Sequence, residues 1–266
     1  MKIKGRTFIL TGGASGLGLG TAQELASQGG YVAILDRDEE AGKRVMSGTF
    51  SYSKSVRFFT ADVSDAENLE KAVDAAVTWT KETGKPLGGA VSAAGVAWTA
   101  KTLDRSGNPS SISAFKTVMD VNVIGTYSLC SLVASRLAAQ PLDKLNEDGE
   151  RGVIILVSSV SALEGQTGQV AYGGSKGAVA SMTLPMARDL APWGIRVVAL
   201  APAVFDTAMT AAISKKTKNK LAAMLEFPRR FGQASEFAKM VSSVIQNVIV
   251  NGAIIRLDGA SRMGKL

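Results

Sequence analysis

Tyr172-Gly173-Gly174-Ser175-Lys176 is the segment of this chain best suited to moving a proton. Residues four apart lie on one face of a helix, so the Tyr172 phenol and the Lys176 ammonium can share a pocket. A free phenol ionises near pH ~10, too high for a base at neutral pH, and a neighbouring cation favours the phenolate. By itself such a pair is more often a solvated surface pair, so its surroundings decide. Ser158 and Ser159 close a strand-like run just upstream, where a hydroxyl can hold a substrate oxygen in line with the phenol. Asn122, in an earlier helical pattern, can anchor a water beside the lysine. The expected catalytic set is Asn122, Ser159, Tyr172 and Lys176, and the chemistry it suits is proton exchange with an alcohol or carbonyl oxygen.

Composition removes the rival chemistries. The chain has no histidine, which excludes a Ser-His-Asp triad, a Cys-His pair and a zinc site with imidazole ligands. No metal is expected. The single cysteine, Cys130, can form no internal disulfide, which fits a reducing, intracellular compartment, cytoplasmic or mitochondrial. The basic residues behind the net charge of +7 are scattered, so a solvated surface is expected and no nucleic-acid partner. Their one local cluster is Lys215-Lys216-Thr217-Lys218-Asn219-Lys220. No run approaches the roughly 18 apolar residues of a membrane helix, and no membrane association or signal peptide is expected.

A second constellation sits near the start. In Thr11-Gly12-Gly13-Ala14-Ser15-Gly16-Leu17-Gly18, the glycines allow a tight turn and close approach of backbone to a pyrophosphate at a helix N-terminus. Gly12, Ser15, Gly16, Leu17 and Gly18 are its expected contacts. A glycine-rich turn is weak evidence alone, but Asp36 closes the second strand-like run, where a carboxylate can accept both hydroxyls of an adenosine ribose. The same carboxylate repels a 2′-phosphate, which favours NAD. Arg37, next to it, keeps NADP as the minority alternative. Asp62-Val63 and Ser92-Ala93-Ala94-Gly95 end two further strands with small or polar residues, and Asp62, Val63, Ala94 and Gly95 are expected along the same cofactor.

These groups need a scaffold, and the pattern supplies one. Apolar runs at Thr7–Thr11, Tyr31–Asp36, Val56–Ala61, Gly89–Ala93, Val153–Ser158, Arg196–Leu200 and Ala253–Leu257 read as strands buried on both faces. Helical patterns near Leu17–Gln28, Glu39–Met46, Ala66–Thr83, Ile112–Ala139, Val170–Leu190 and Ser235–Gln246 alternate with them. The alternation predicts an α/β fold: one domain over 1–266, a doubly wound parallel sheet of about seven strands with helices on both faces. Thr99–Ser111 and Gln140–Arg151 read as loops, and 205–231 as a substrate lid.

In this order and spacing, Thr11–Gly18, Asp62, Ser92–Gly95, Asn122, Ser159, Tyr172 and Lys176 resemble the short-chain dehydrogenase/reductase family across essentially the whole chain. Segments Ile9–Leu19, Asp120–Thr126, Glu164–Lys176, Met182–Arg196 and Asn251–Met263 are further similar to its type 2 3-hydroxyacyl-CoA dehydrogenases, also described as a 17β-hydroxysteroid dehydrogenase type. The resemblance implies a Rossmann-type fold and a homotetramer. It implies that Ser159 positions the reacting oxygen, Tyr172 exchanges its proton and Lys176 binds the nicotinamide ribose. Tyr172 and Lys176 thereby also touch the cofactor, with Pro202, Phe205 and Thr207 beyond the sixth strand. Three positions depart from the family pattern: Ser92 replaces asparagine, Ala203 follows Pro202 in place of glycine, and Asp206 precedes Thr207.

The expected function is oxidation of a secondary alcohol or reduction of a ketone, with a 3-hydroxyacyl-CoA or related hydrophobic alcohol as substrate. A steroid-like or polycyclic alcohol is the alternative, favoured by the altered Pro202–Asp206 stretch. A scaffold or RNA-processing subunit is the alternative from another class, and the complete Ser159–Tyr172–Lys176 set argues against it. Substrate contacts are expected from Trp98, Gln166 and Met209, with Leu163, Phe205, Leu221 and Leu225 completing an apolar lining.

Overall fold

The computed structural model describes residues 1–50, 53–140, 148–211 and 214–262, the side chains at 208 and 209 excepted. Seven strands form one parallel sheet: β1 (Thr7–Thr11), β2 (Tyr31–Asp36), β3 (Val56–Thr60), β4 (Leu87–Ser92), β5 (Gly152–Val157), β6 (Ile195–Pro202) and β7 (Ile254–Leu257). Their order is β3-β2-β1-β4-β5-β6-β7, so the winding reverses between β1 and β4. Ligands of such sheets bind at that reversal, outside the carboxyl ends of the strands. The arrangement is the single Rossmann-type α/β domain expected.

Alternation within each strand sends side chains to two cores. Phe8, Leu10, Val32 and Ile34 pack with Leu25 of α1 (Gly16–Ser27), Val45 of α2 (Glu39–Ser47), and Phe237 and Val241 of a late helix. Ile9, Ala33, Leu35 and Ile154 meet Leu69 and Val73 of α3 (Ala66–Thr83) and residues of the central helices. Those helices are α5 (Gly125–Ala138) and α6 (Val170–Leu190); the shorter α4 (Ile112–Met119) precedes them and adds no residue to this cluster. The chain continues through α7 (Ala208–Ala211), α8 (Lys215–Ala222) and the late helix, α9 (Ala234–Gln246).

Several boundaries differ from expectation. β4 starts at Leu87 because Gly88-Gly89, poor strand formers, disguise its first half. Gly89 has φ +151°, and a Cβ there would meet the Val153 carbonyl of β5. The helical pattern at Ile112–Ala139 is interrupted by a π turn at Asp120–Ile124, the kind of bulge that often marks a functional site. By length and composition alone the run Ile112–Ala138 is long and apolar enough to cross a membrane, against the expectation that no run is; half of its most apolar stretch is buried inside the domain. Most of the loop at Gln140–Arg151 lies outside the described residues. The segment after Phe205 is an excursion closed at its base: Asp206 N–H donates to the Gly232 carbonyl at 2.8 Å, and Gly232 N–H to Val204 at 3.0 Å.

Candidate active site

A cleft of 610 Å³ crosses the carboxyl ends of the strands, a size typical of small-molecule sites. At one end lies the glycine-rich turn. Gly12 has φ +66°, and a Cβ on it would come within 2.8 Å of the Ala94 backbone, so only glycine lets the two loops meet. Ser15 precedes α1 without capping it, and the first turn of α1 holds no acidic residue. Its leading N–H groups are thus left for an anion. Gly12, Ser15, Gly16, Leu17 and Gly18 all line the cleft.

Asp36 ends β2 beside this turn. Its carboxylate accepts from the Ala14 N–H and the Asp38 N–H, each at 3.1 Å, and it borders the cleft with Arg37. Asp62 and Val63 line the next wall. Asp62 accepts from the Ser64 hydroxyl at 2.6 Å and the Ser64 N–H at 2.9 Å, and these bonds hold its carboxyl below the usual range. Ala94 and Gly95 follow β4 along the floor. The glycine cradle, the uncapped helix start and the strand-end carboxylate together fit a dinucleotide.

The chemical end is built on α6. Tyr172 and Lys176 stand one turn apart, with the Lys176 Nζ 5.9 Å from the phenol ring centre. The ammonium donates to the Val157 carbonyl at 2.8 Å. Ser159, at the end of β5, accepts from the Ser161 N–H at 3.1 Å, and its hydrogen bond to Tyr172 lowers the phenol's pKa. Burial acts more strongly the other way and pushes the phenol up. The lowering expected from the lysine is therefore not the net effect in the protein itself. Burial also takes Lys176 from 10.5 down to about 8, so its charge persists at neutral pH.

Asn122 is fully buried inside the π turn. Its Oδ1 accepts from the Val96 N–H at 2.8 Å, while Nδ2 donates to the Val96 carbonyl at 2.9 Å and to Ser175 Oγ at 3.0 Å. Ser175 Oγ in turn donates to the Tyr172 carbonyl at 2.7 Å. A chain of hydrogen bonds thus joins the loop after β4, the π turn and the helix carrying the phenol. The sequence alone assigns Ser175 no role, and at a separation of 53 positions from Asn122 no local pattern could pair them.

At the far end, Trp98, Gln166, Pro202, Ala203, Phe205, Thr207 and Leu221 line the cleft. Thr207 lies over the start of α1, 3.3 Å from where a Cβ on Gly16 would stand. Phe205 borders the cleft, but its ring packs edge-on against Phe237 rather than standing in the open space. Two expected lining residues lie elsewhere: Leu225 is buried against Gly259, and Leu163 is 62% exposed. The Met209 side chain lies outside the described residues. Gln169 and Thr210, not anticipated, also line the wall; Thr210 Oγ1 accepts from Thr207 N–H at 3.0 Å. Burial pushes the Cys130 thiol up to about 12, which leaves no thiolate to act as a nucleophile.

Known proteins resemble this chain along nearly its whole length. Residues 6–218 match the family model for short chain dehydrogenase. The chain is 42% identical over 262 residues to 3-hydroxyacyl-CoA dehydrogenase type-2 of Bos taurus, covering 98% of this chain and 97% of that one. The crystal structure of 3-hydroxyacyl-CoA dehydrogenase type-2 from Mycobacterium avium superposes with a TM-score of 0.89 at 33% identity, covering 98% of both chains. That of 3-ketoacyl-(acyl-carrier-protein) reductase from Brucella melitensis, complexed with NADH, gives 0.83 at 25% identity, covering 98% of this chain and all of that one.

Proposed function

The chain belongs to the short-chain dehydrogenase family, and we propose that the alcohol it oxidises is a 3-hydroxyacyl-CoA, with NAD as cofactor. As a member of that family it is an oxidoreductase that acts on CH–OH groups with NAD(P). The observation that carries the finer reading is one cleft holding Asp36, the Ser159–Tyr172–Lys176 set and an apolar end at Trp98 and Leu221. A carboxylate fixed by two backbone N–H groups favours the cofactor without a 2′-phosphate. The names of similar proteins support an acyl-CoA, and the apolar surface that Trp98, Ala203 and Leu221 offer at the far end suits an acyl chain.

A bound dinucleotide supplies the hydride carrier. The chain's own residues do the rest. Gly12, the start of α1 and Asp36 hold the pyrophosphate and adenosine ribose, while Pro202, Phe205 and Thr207 flank the nicotinamide end. Ser159 and Tyr172 hold the substrate oxygen between two hydroxyls, and the phenol gives or takes its proton. Lys176 binds the nicotinamide ribose, and its charge favours the phenolate when Tyr172 must act as base. Asn122 anchors the water that serves the lysine. We read 205–231 as the lid over the substrate, and the exposed Ile112, Phe115, Ile124 and Tyr127 as support for a homotetramer.

A polycyclic alcohol is the second reading, favoured by the added Cβ of Ala203 on the cleft wall. The test follows NADH with acetoacetyl-CoA beside cyclic ketones. Higher kcat/KM on acetoacetyl-CoA is expected; a preference for the cyclic ketones would transfer the assignment to the second reading.

A further inference from the structure

A helix beside the cleft carries a charge pattern that the hydride chemistry does not use. α8 presents Lys215, Lys216, Lys218 and Lys220 in eight residues, with no acidic side chain among them. Among the described residues none of the four has an ion-pair partner. Two of them occupy its first turn, where cations oppose the helix dipole, and like charges one turn apart repel. An anion bound beside the helix would relieve both costs.

Geometry says which lysines can serve. Thr217 and Leu221 line the cleft, so they define the face of α8 that looks into it. At about 100° per residue, Lys218 and Lys220 stand about 80° to either side of that face, while Lys215 and Lys216 turn about 120–140° away. Lys218 is half-buried and Lys220 exposed, as expected of two arms at the rim of an opening. A lysine there is a flexible point charge on a long apolar stem, suited to a phosphate that need not be held in one geometry.

We propose that Lys218 and Lys220 bracket the cleft mouth and take the phosphates of the CoA carrier, while its acyl thioester reaches Ser159 and Tyr172. The inference rests on the acyl-CoA reading above and adds where the carrier is recognised. The experiment compares two double variants that remove equal charge, Lys218→Gln/Lys220→Gln and Lys215→Gln/Lys216→Gln. Glutamine keeps helix propensity close to that of lysine, so α8 is preserved. Each is assayed with acetoacetyl-CoA and with S-acetoacetyl-N-acetylcysteamine, the same thioester without phosphates.

The first variant should raise KM for acetoacetyl-CoA about three- to tenfold, as for two exposed ion pairs, with kcat unchanged. Its KM for the truncated thioester should not move, and the second variant should change little with either substrate. Salt should erase the wild-type preference for the CoA ester. If both variants raise KM equally, the lysines act only as diffuse charge and the assignment fails. If the CoA ester stays preferred with KM unmoved in the first variant, the assignment fails while the substrate reading stands. A wild-type enzyme that does not prefer the CoA ester, or turns over neither thioester, overturns both.

Discussion

The Asp36 carboxylate accepts a hydrogen bond from the Ala14 N–H at 3.1 Å, tying the end of β2 to the glycine-rich turn after β1. Its other oxygen accepts from Asp38 N–H at the same distance. The group that would read the ribose is therefore also part of what shapes the pyrophosphate turn. Charge and shape can be separated there by mutation.

Asp36→Asn keeps an acceptor for Ala14 and removes the repulsion of a 2′-phosphate. Its preference for NADH over NADPH should fall about tenfold, equivalent to about 1.4 kcal/mol. Asp36→Ala should relax the preference too and weaken NADH as well, because the turn loses its brace. Fluorescence titration with both cofactors measures this. Tighter binding of NADPH than NADH to the unmodified protein would contradict the reading and assign the site to Arg37.

Glu150, 4% exposed, pairs with the Arg196 guanidinium at 2.7 Å and with the Met1 ammonium at 3.0 Å. Arg196 also donates to the Val244, Ile245, Asn247 and Val250 carbonyls, binding the end of α9 to β6. Glu150→Gln leaves that arginine buried without its counter-charge and should cost about 3 kcal/mol, within the range for breaking a buried pair. Denaturant unfolding checks it. Cofactor affinity at low temperature should be unaffected, since neither residue lines the cleft.

Burial lowers Lys176 from 10.5 to about 8, so between those pH values the unfolded chain binds a proton that the folded one does not. Stability contributed at this position must then rise with pH across that window. Relative to wild type, Lys176→Met should be most favoured at pH 7 and lose about 2–3 kcal/mol of that advantage by pH 10.5, at about 1.4 kcal/mol per unit. Parallel stability curves for the two proteins across the window would contradict a buried, destabilised ammonium.

Much of this was legible in the residues themselves. Buried parallel strands are apolar almost throughout, so most sheet elements stood out, and β4 blurred only where Gly88-Gly89 leave no side chain to read. Gly12, Asp36, Tyr172 and Lys176 are tied to strand ends or one helix face, which spacing reveals. What spacing hides is long-range pairing. The π turn exists in partnership with Val96 and Ser175, and the periodicity of Ile112–Ala139 gives no hint of it. The direction of the Tyr172 shift was hidden for a like reason: burial is a property of the packed site, and here it outweighs the neighbouring groups. Apolar residues of the 205–231 segment were the hardest to assign, since one such as Leu225 suits an apolar cleft wall and the core equally well.

The central claim is that the Tyr172 phenol carries the proton of a hydride-transfer reaction, and Tyr172→Phe tests it most directly. The substitution removes one oxygen and keeps the ring beside Lys176. The rate of NADH oxidation by acetoacetyl-CoA, followed under single-turnover conditions, should fall about 10²–10⁴-fold, the usual contribution of a positioned acid/base. The dissociation constant for NADH should be unchanged. A variant that oxidises NADH at a rate near wild type would contradict the account.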